Sequence, residues 1–330
     1  MIEKMFSIDI FDETLSFEEK AMQVFRYQVR HNPVYARFCS VFGYDENRVP
    51  EPDRIPLIPV RAFKESKLFT DELPAQLVFR SSGSTGTEQS RHYIVDPGMY
   101  RQSLRRGFDR FYSADSIIWA YTPGYQENPD SSLIWMLNDL ISRDETGLSK
   151  FLDLEEPLDR TGLETVESVN RPFILFGAAF GLLDLLERGQ VPLPEKSIVI
   201  ETGGMKTYRR EMEKEELQVV LAEGFGLPAE RIHSEYGMCE LLSQAYTTGG
   251  GLWFESVPWL KATVRDPMNP ERICKPGEEG KIGLSDLANL YSCSFFLTED
   301  RGVTDGKGRF KVLGRWNQEN LRGCNFLIDE

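Results

Sequence analysis

The chain has 330 residues, 41% hydrophobic and 27% charged, which is the balance of a globular protein with room for one large or two smaller domains. Its net charge of −14 argues against a general nucleic-acid or anionic-membrane binder, so any phosphate site has to be a local positive island in an acidic shell. No run of 18 apolar residues predicts a transmembrane helix, the first residues lack the apolar stretch of a signal peptide, and five scattered cysteines without a CxxC fit reduced cytoplasmic thiols.

In chain order, Ser16-Phe17-Glu18-Glu19 has the form of a capping box, and Met22, Val24, Phe25 and Val29 continue it as a helical stripe. A second short helix is expected over 34–42, ending at Gly43. Pro50, Pro52, Pro56 and Pro59 then impose an extended connector. Lys64 follows it; two readings stand, a surface lysine or a cation near a ligand. From residue 77 strands and helices alternate. A strand enters Ser81-Ser82-Gly83-Ser84-Thr85-Gly86-Thr87, and residues 92–95 leave it as another strand. The glycines open backbone angles closed to other residues, and the hydroxyls and bare N–H groups form a donor surface suited to phosphate oxygens. It is not a P-loop, because no Gly-Lys-Ser/Thr end follows the spacer. On composition alone a solvated loop remains the plain alternative.

Asp96-Pro97 reads as an N-cap with proline at the first helical position, opening a helix to about Tyr112. Its Arg101, Arg105, Arg106 and Arg110 form either a solvated face or an anion-facing one. Strands are expected at 116–122, 171–176 and 197–200 and from Ile232, with helices at 132–141, 178–188 and 207–222. This alternation predicts α/β architecture with a largely parallel sheet, whose ligands bind beyond the carboxyl ends of the strands. Both the Ser/Gly loop and Thr202-Gly203-Gly204 sit at such ends. After about residue 243 helices give way to short strands at 249–251, 257–265, 281–284, 295–297 and 310–313, a small β-rich subdomain. The division is thus 1–76, an N-terminal helical segment and connector; 77–242, the α/β core; and 243–330, the β-rich part.

Several short motifs follow in fixed order: the Ser/Gly loop, Thr202-Gly203-Gly204, Tyr236-Gly237-x-x-Glu240, Thr298-x-Asp300 and Gly314-Arg315. Taken singly, Glu240 reads as a surface acid, Asp300 as a turn former and Arg315 as an ion-pair partner. Together they resemble the adenylate-forming superfamily of acyl-CoA synthetases, adenylation domains and luciferase-like ligases. Cys239 stands where threonine is usual in that family's third motif, and Glu299 where glycine is usual in the fourth. The chain length and the ending Leu321-Arg322-Gly323-Cys324-Asn325 look most like the LuxE acyl-protein synthetases. The resemblance implies the large N-terminal domain of these enzymes without their mobile C-terminal domain. It also implies ATP and Mg²⁺ as cofactors and a carboxylic, expectedly fatty, acid as substrate. The acid would become an acyl-adenylate and then a thioester, with an acyl-accepting reductase or carrier protein as a partner.

On the same resemblance, Ser81, Ser82, Gly83, Ser84, Thr85, Gly86 and Thr87 close over the β- and γ-phosphates, with Gly203 and Gly204 also at the nucleotide. Glu240 holds Mg²⁺, Tyr236 stacks on adenine, Asp300 accepts from the ribose hydroxyls, and Arg315 reaches ribose or phosphate. Cys324 is the candidate acyl acceptor, with Arg322 nearby to favour a thiolate; the alternative is an ordinary thiol. A CoA ligase completed by a separate chain and a nucleotide-binding scaffold without turnover are the other readings. Trp119, Tyr121, Tyr125, Trp135, Phe173, Phe176 and Phe180 suit an apolar acyl or aryl group, although most such residues are core.

Overall fold

The computed structural model describes residues 9–70, 73–81, 89–123, 128–189, 192–203 and 212–316. Helix α1 (Phe17–His31) starts on the expected capping box: Glu19 N donates to Ser16 Oγ, and the Glu19 carboxylate accepts from Ser16 N. Its apolar stripe, with Val24 and Phe25 fully buried, faces the core. Helix α2 (Pro33–Val41) follows with Asn32 as N-cap and proline at the first position. The proline connector carries a 3-10 turn and then β1 (Ile58–Pro59) and α3 (Ala62–Glu65). Strands β2 (Leu77–Arg80) and β3 (Arg91–Ile94), which flank the Ser/Gly loop in sequence, pair antiparallel. Helix α4 (Pro97–Phe111) begins at Asp96, whose side chain accepts from Gly98 N.

The main sheet is built from β4 (Ile117–Tyr121), β5 (Lys150–Phe151), β6 (Phe173–Ala178), β7 (Ile198–Thr202), β8 (Ile232–Tyr236), β9 (Ala245–Tyr246) and β10 (Glu255–Ser256). Helices α5 (Ser132–Ile141), α6 (Arg160–Ser168), α7 (Ala179–Arg188) and α8 (Lys214–Phe225) connect its strands. Among the described residues its order is β10-β9-β8-β7-β6-β4-β5, parallel from β5 to β8 and antiparallel through β9 and β10. Strands β4 and β6 are buried along their whole length, which is why Ile-Ile-Trp-Ala-Tyr and Phe-Ile-Leu-Phe-Gly-Ala are continuous apolar runs.

A second sheet holds β11 (Leu260–Arg265), β12 (Gly280–Asp286), β13 (Phe295–Thr304) and β14 (Phe310–Arg315). β13 is its spine: β12 pairs along one edge, while β14 and the distant β1 share the other, β14 opposite 300–304 and β1 opposite Phe296 and Leu297. No described helix is long and apolar enough to cross a membrane.

Two local expectations are corrected and a third holds. Residues 249–251 form a turn, not a strand, with Gly249 and Gly250 at φ of 65° and 71°, where side chains are strained. The described helix after β7 begins at Lys214 and runs on to Phe225, ending on Gly226 in the left-handed region. The aromatic set between the strands is mostly core: Trp119, Tyr121 and Phe173 belong to one buried cluster and Phe176 to the other.

Candidate active site

Three elements bring the motif residues together. The pair β2–β3 supplies the foot of the Ser/Gly loop, the turn after β8 supplies Glu240, and the antiparallel pair β13–β14 supplies Asp300 and Arg315 as direct neighbours in register. Ser82, Gly83, Ser84, Thr85, Gly86, Thr87, Gly204 and Cys324 lie outside the described residues. Ser81, at the loop's first position, is locked to Ser90, the residue before β3: Ser81 N donates to Ser90 O at 3.2 Å, and Ser90 N donates to Ser81 Oγ at 3.0 Å. The Ser90 hydroxyl lies near enough to the Glu240 carboxylate to favour its ionised form. One chain of contacts thus joins the foot of the loop to the acid of the third motif.

Glu240 is 5% exposed. Burial pushes its pKa above the usual carboxylate range, while the Ser90 hydroxyl and the charges of Lys64 and Arg315 pull the other way. Lys64 is exposed, as the surface reading has it, and its charge acts on Glu240.

Tyr236, Asp300 and Arg315 form a second linked group. The Tyr236 hydroxyl donates to Asp300 Oδ2 at 2.8 Å, and Arg315 Nε lies 3.4 Å from Asp300 Oδ1. Phe310 meets the Tyr236 ring nearly edge-on at 5.2 Å, and Phe254 stacks on Phe310. Tyr236 is 9% exposed, so its ring is fixed before any ligand arrives. Burial and the Asp300 carboxylate hold its phenol neutral, with a pKa well above the ordinary value. Thr298 acts inside the strand: its hydroxyl donates to Ile282 O at 2.7 Å and accepts from Asp300 N at 3.1 Å, which aims Asp300. Glu299, in place of the family's glycine, turns away to Lys281 at 3.0 Å.

The four arginines of α4 are engaged within the chain. Arg101 and Arg105 both bind Asp139 on α5, Arg110 binds Glu13, and Arg106 lies over the Phe11 ring. The anion-facing alternative therefore finds no free guanidinium in that row.

Glu235, Asp286, His92 and Asn289 escaped the sequence reading. At the carboxyl ends of β7 and β8, Thr202 Oγ1 donates to the buried Glu235 carboxylate. Gly203 follows at φ 79°, a value that favours glycine. Glu235 also explains Gly237, since a Cβ there would come within 2.2 Å of Glu235 Oε1. Burial pushes the Glu235 carboxyl up to about 7, the nearby Glu201 carboxylate adding to the effect. Asp286, raised to about 6 chiefly by burial, accepts from Leu242 N, Ser243 N and Ser243 Oγ and so closes the turn that follows Glu240. His92 and Asn289 hold the backbone of Cys239 and Glu240. A single buried histidine or acid carries no local signal; only the tertiary contacts reveal these residues.

The Glu235 result has a measurable consequence. A carboxyl whose folded pKa is raised adds stability below its unfolded pKa, near 4.5, and that stability is lost as pH rises through about 7. Glu235→Gln removes this dependence. Its melting temperature relative to the parent is therefore expected to be higher at pH 8 than at pH 5, the difference corresponding to about 2–3 kcal/mol. Paired thermal melts check this, and a gap that does not change with pH contradicts it.

Comparison with known proteins adds independent findings. No curated protein sequence matches the chain. The fold is similar to 2-hydroxyisobutyryl-CoA ligase, solved in an open conformation with 2-HIB-AMP and CoA: TM-score 0.64, 14% identity, 91% of this chain and 69% of that one. It is also similar to ATP-bound MatB from Rhodopseudomonas palustris, with TM-score 0.52, 14% identity, and 84% of this chain and 52% of that one. The luciferase-like enzyme of the nonluminescent mealworm Zophobas morio matches at TM-score 0.50 and 18% identity, over 76% of this chain and 59% of that one. These likenesses establish the fold, that of the large domain of adenylate-forming enzymes. The model of the acyl-protein synthetase family LuxE matches residues 161–330, a stretch that takes in the ends of β7 and β8, Glu240 and the β13–β14 pair. With more than half of its length matched, the chain belongs to the LuxE acyl-protein synthetase family.

Proposed function

We propose that this protein activates a carboxylic acid with ATP and passes the acyl group to a thiol. The observation that carries the proposal is the proximity of Glu240 to both the foot of the Ser/Gly loop and the Tyr236–Asp300–Arg315 group: Ser90, bonded to Ser81, and Arg315, paired with Asp300, both act on the Glu240 carboxylate. A carboxylate oxygen attacks the α-phosphorus of ATP, the bond to the bridging oxygen breaks, and pyrophosphate leaves with its electron pair. What the protein supplies is placement and charge compensation.

In this reading Ser81 to Thr87 and Gly203-Gly204 surround the phosphates, and Tyr236 offers its ring to adenine. Asp300 accepts from the ribose hydroxyls, and the half-exposed Arg315 reaches ribose or phosphate. Glu240 suits a magnesium ligand because it is a buried hard-oxygen carboxylate whose burial outweighs the hydroxyl, backbone N–H and two outlying cations that act on it. When bound, magnesium supplies charge neutralisation on the phosphates.

For the second step we place the acyl group on Cys324. Its thiolate attacks the acyl carbonyl carbon, the bond to the phosphate oxygen breaks, and AMP leaves. The other four cysteines are poor candidates, since burial raises the pKa of Cys39 to about 12 and also pushes up Cys239, Cys274 and Cys293. A fatty acid is the proposed substrate class, and an acyl-accepting reductase or carrier protein the proposed onward partner. The test is labelling with radioactive acid, ATP and magnesium without CoA. The parent is expected to form a thioester sensitive to hydroxylamine, and Cys324→Ser to release pyrophosphate and form the acyl-adenylate while retaining less than a tenth of the covalent label. Full labelling of that variant contradicts the acceptor role, and thioester formation only with added CoA favours a CoA ligase.

A further inference from the structure

Beneath the turn that carries Glu240 lies a buried polar platform with no part in the chemistry above. Its members come from three distant segments: Gln28 on α1, His92 on β3, and Asn289 and Ser292 in the turn between β12 and β13. All four are at most 4% exposed. We propose that His92 and Asn289 are positioning residues that fix the backbone at Cys239 and Glu240, and with it the direction of the Glu240 carboxylate. The proposal rests on the reading of Glu240 as the carboxylate at the metal–nucleotide site.

The hydrogen bonds define the arrangement and its protonation. His92 Nδ1 lies 2.8 Å from Cys239 O, and His92 Nε2 lies 2.8 Å from Ser292 Oγ. A carbonyl oxygen only accepts, so Nδ1 carries the proton and Nε2 accepts from the Ser292 hydroxyl. Burial keeps the ring neutral by pushing its pKa down to about 4, so this tautomer persists across the physiological range. Next along the chain, Asn289 Nδ2 donates to Glu240 O at 2.8 Å. Two consecutive carbonyls of the motif are therefore gripped by side chains from two different elements. Those side chains are anchored in turn. Gln28 Nε2 donates to Asn289 O at 2.9 Å and Leu290 O at 3.1 Å, its Oε1 accepts from Ser294 N, and Asn32 Nδ2 donates to Ser292 O at 2.8 Å.

The physical argument is one of freedom removed. The segment from 237 to 241 has no helix or strand of its own to hold it. A carboxylate at its end would wander if its backbone did, and a loss of placement by about 1 Å can cost a hundredfold in rate. The platform supplies the constraint that regular secondary structure would otherwise give, and it ties the N-terminal helices to the site.

The experiment compares His92→Gln, His92→Asn, Asn289→Ala, Ser292→Ala and Glu240→Gln in the full chain. Asparagine carries its amide nitrogen near the place of Nδ1 and keeps a donor for Cys239 O; glutamine carries it near Nε2 and does not. Two readouts are used: binding of ATP over a magnesium titration, without acid, by calorimetry, and the ¹⁵N shifts of the histidine ring in the parent. His92→Gln and Asn289→Ala are expected to raise the magnesium concentration for half-maximal ATP binding about tenfold, His92→Asn to restore most of the loss, and the ring shifts to report the Nδ1–H tautomer. Ser292→Ala, a smaller change, serves if the histidine variants do not fold, with a shift of about threefold. A purely structural role lowers the melting temperature without moving the magnesium dependence. Unchanged magnesium dependence in His92→Gln and Asn289→Ala beside an impaired Glu240→Gln overturns the positioning role alone, as does an Nε2–H tautomer. A Glu240→Gln variant that binds like the parent overturns the reading of Glu240, and this proposal falls with it.

Discussion

Glu240→Gln is expected to lower acid-dependent ATP–pyrophosphate exchange by about 10²–10³-fold while leaving the fold intact. The substitution keeps the shape and deletes the charge. Removing one preorganised electrostatic contact typically costs that much in turnover, and magnesium is usually bound by only one or two carboxylates plus the phosphates. The buried carboxylate is also a burden to the empty protein, since burial already pushes its pKa upward. The variant should therefore melt at the same temperature or higher, which separates a lost function from a lost fold. The same raised pKa carries a sign for the pH profile. The active, ionised form is lost as pH falls, and it is lost at a higher pH than for a solvent-exposed glutamate. Exchange rates over pH with parallel melts check the prediction. Activity within threefold of the parent contradicts it.

Asp300→Ala is expected to raise the KM for ATP by about 30–100-fold with a smaller fall in kcat. Asp300 receives Tyr236 at 2.8 Å and faces Arg315 at 3.4 Å, so its loss leaves a buried phenol without its acceptor and an arginine without its partner. A hydrogen bond to a charged group contributes about 1.5–3 kcal/mol, and each 1.4 kcal/mol is tenfold. Tyr236→Phe, which deletes one hydroxyl and keeps the ring, should cost less than tenfold. The ATP dependence of exchange measures both, and an Asp300→Ala variant with the parent's KM removes Asp300 from the nucleotide site.

The α/β architecture and the family were legible because their signals are local. Buried parallel strands read as unbroken apolar runs, the caps at Ser16 and Asp96 announce their helices, and four of the five ordered motifs lie at strand ends. Tyr236, Glu240, Asp300 and Arg315 could be singled out because each belongs to such a motif, and the structure brings them together. What stayed hidden depends on distant pairing. Nothing in Ile58-Pro59 tells that it joins β13, and nothing in Arg91-His92-Tyr93 tells that the histidine reaches Cys239. Glu235 shares β8 with His233 and Ser234 and gives no signal of its own until Thr202 and Gly237 are seen around it. The glycine run 249–251 was misread because three small residues between apolar segments suit a strand and a turn equally well by composition. The two positive φ values decide for the turn. The arginines of α4 could not be assigned from spacing, because their partners Asp139 and Glu13 lie on other elements.

The account stands most directly on acid-dependent ATP–pyrophosphate exchange, measured without CoA over a panel of fatty, aryl and small carboxylic acids, with Glu240→Gln beside the parent. The expected result is exchange that requires an acid, is fastest with the fatty acids, and is lost in the variant. Folded protein that binds ATP yet exchanges with no acid in the panel would contradict it, leaving a nucleotide-binding scaffold as the reading of this site.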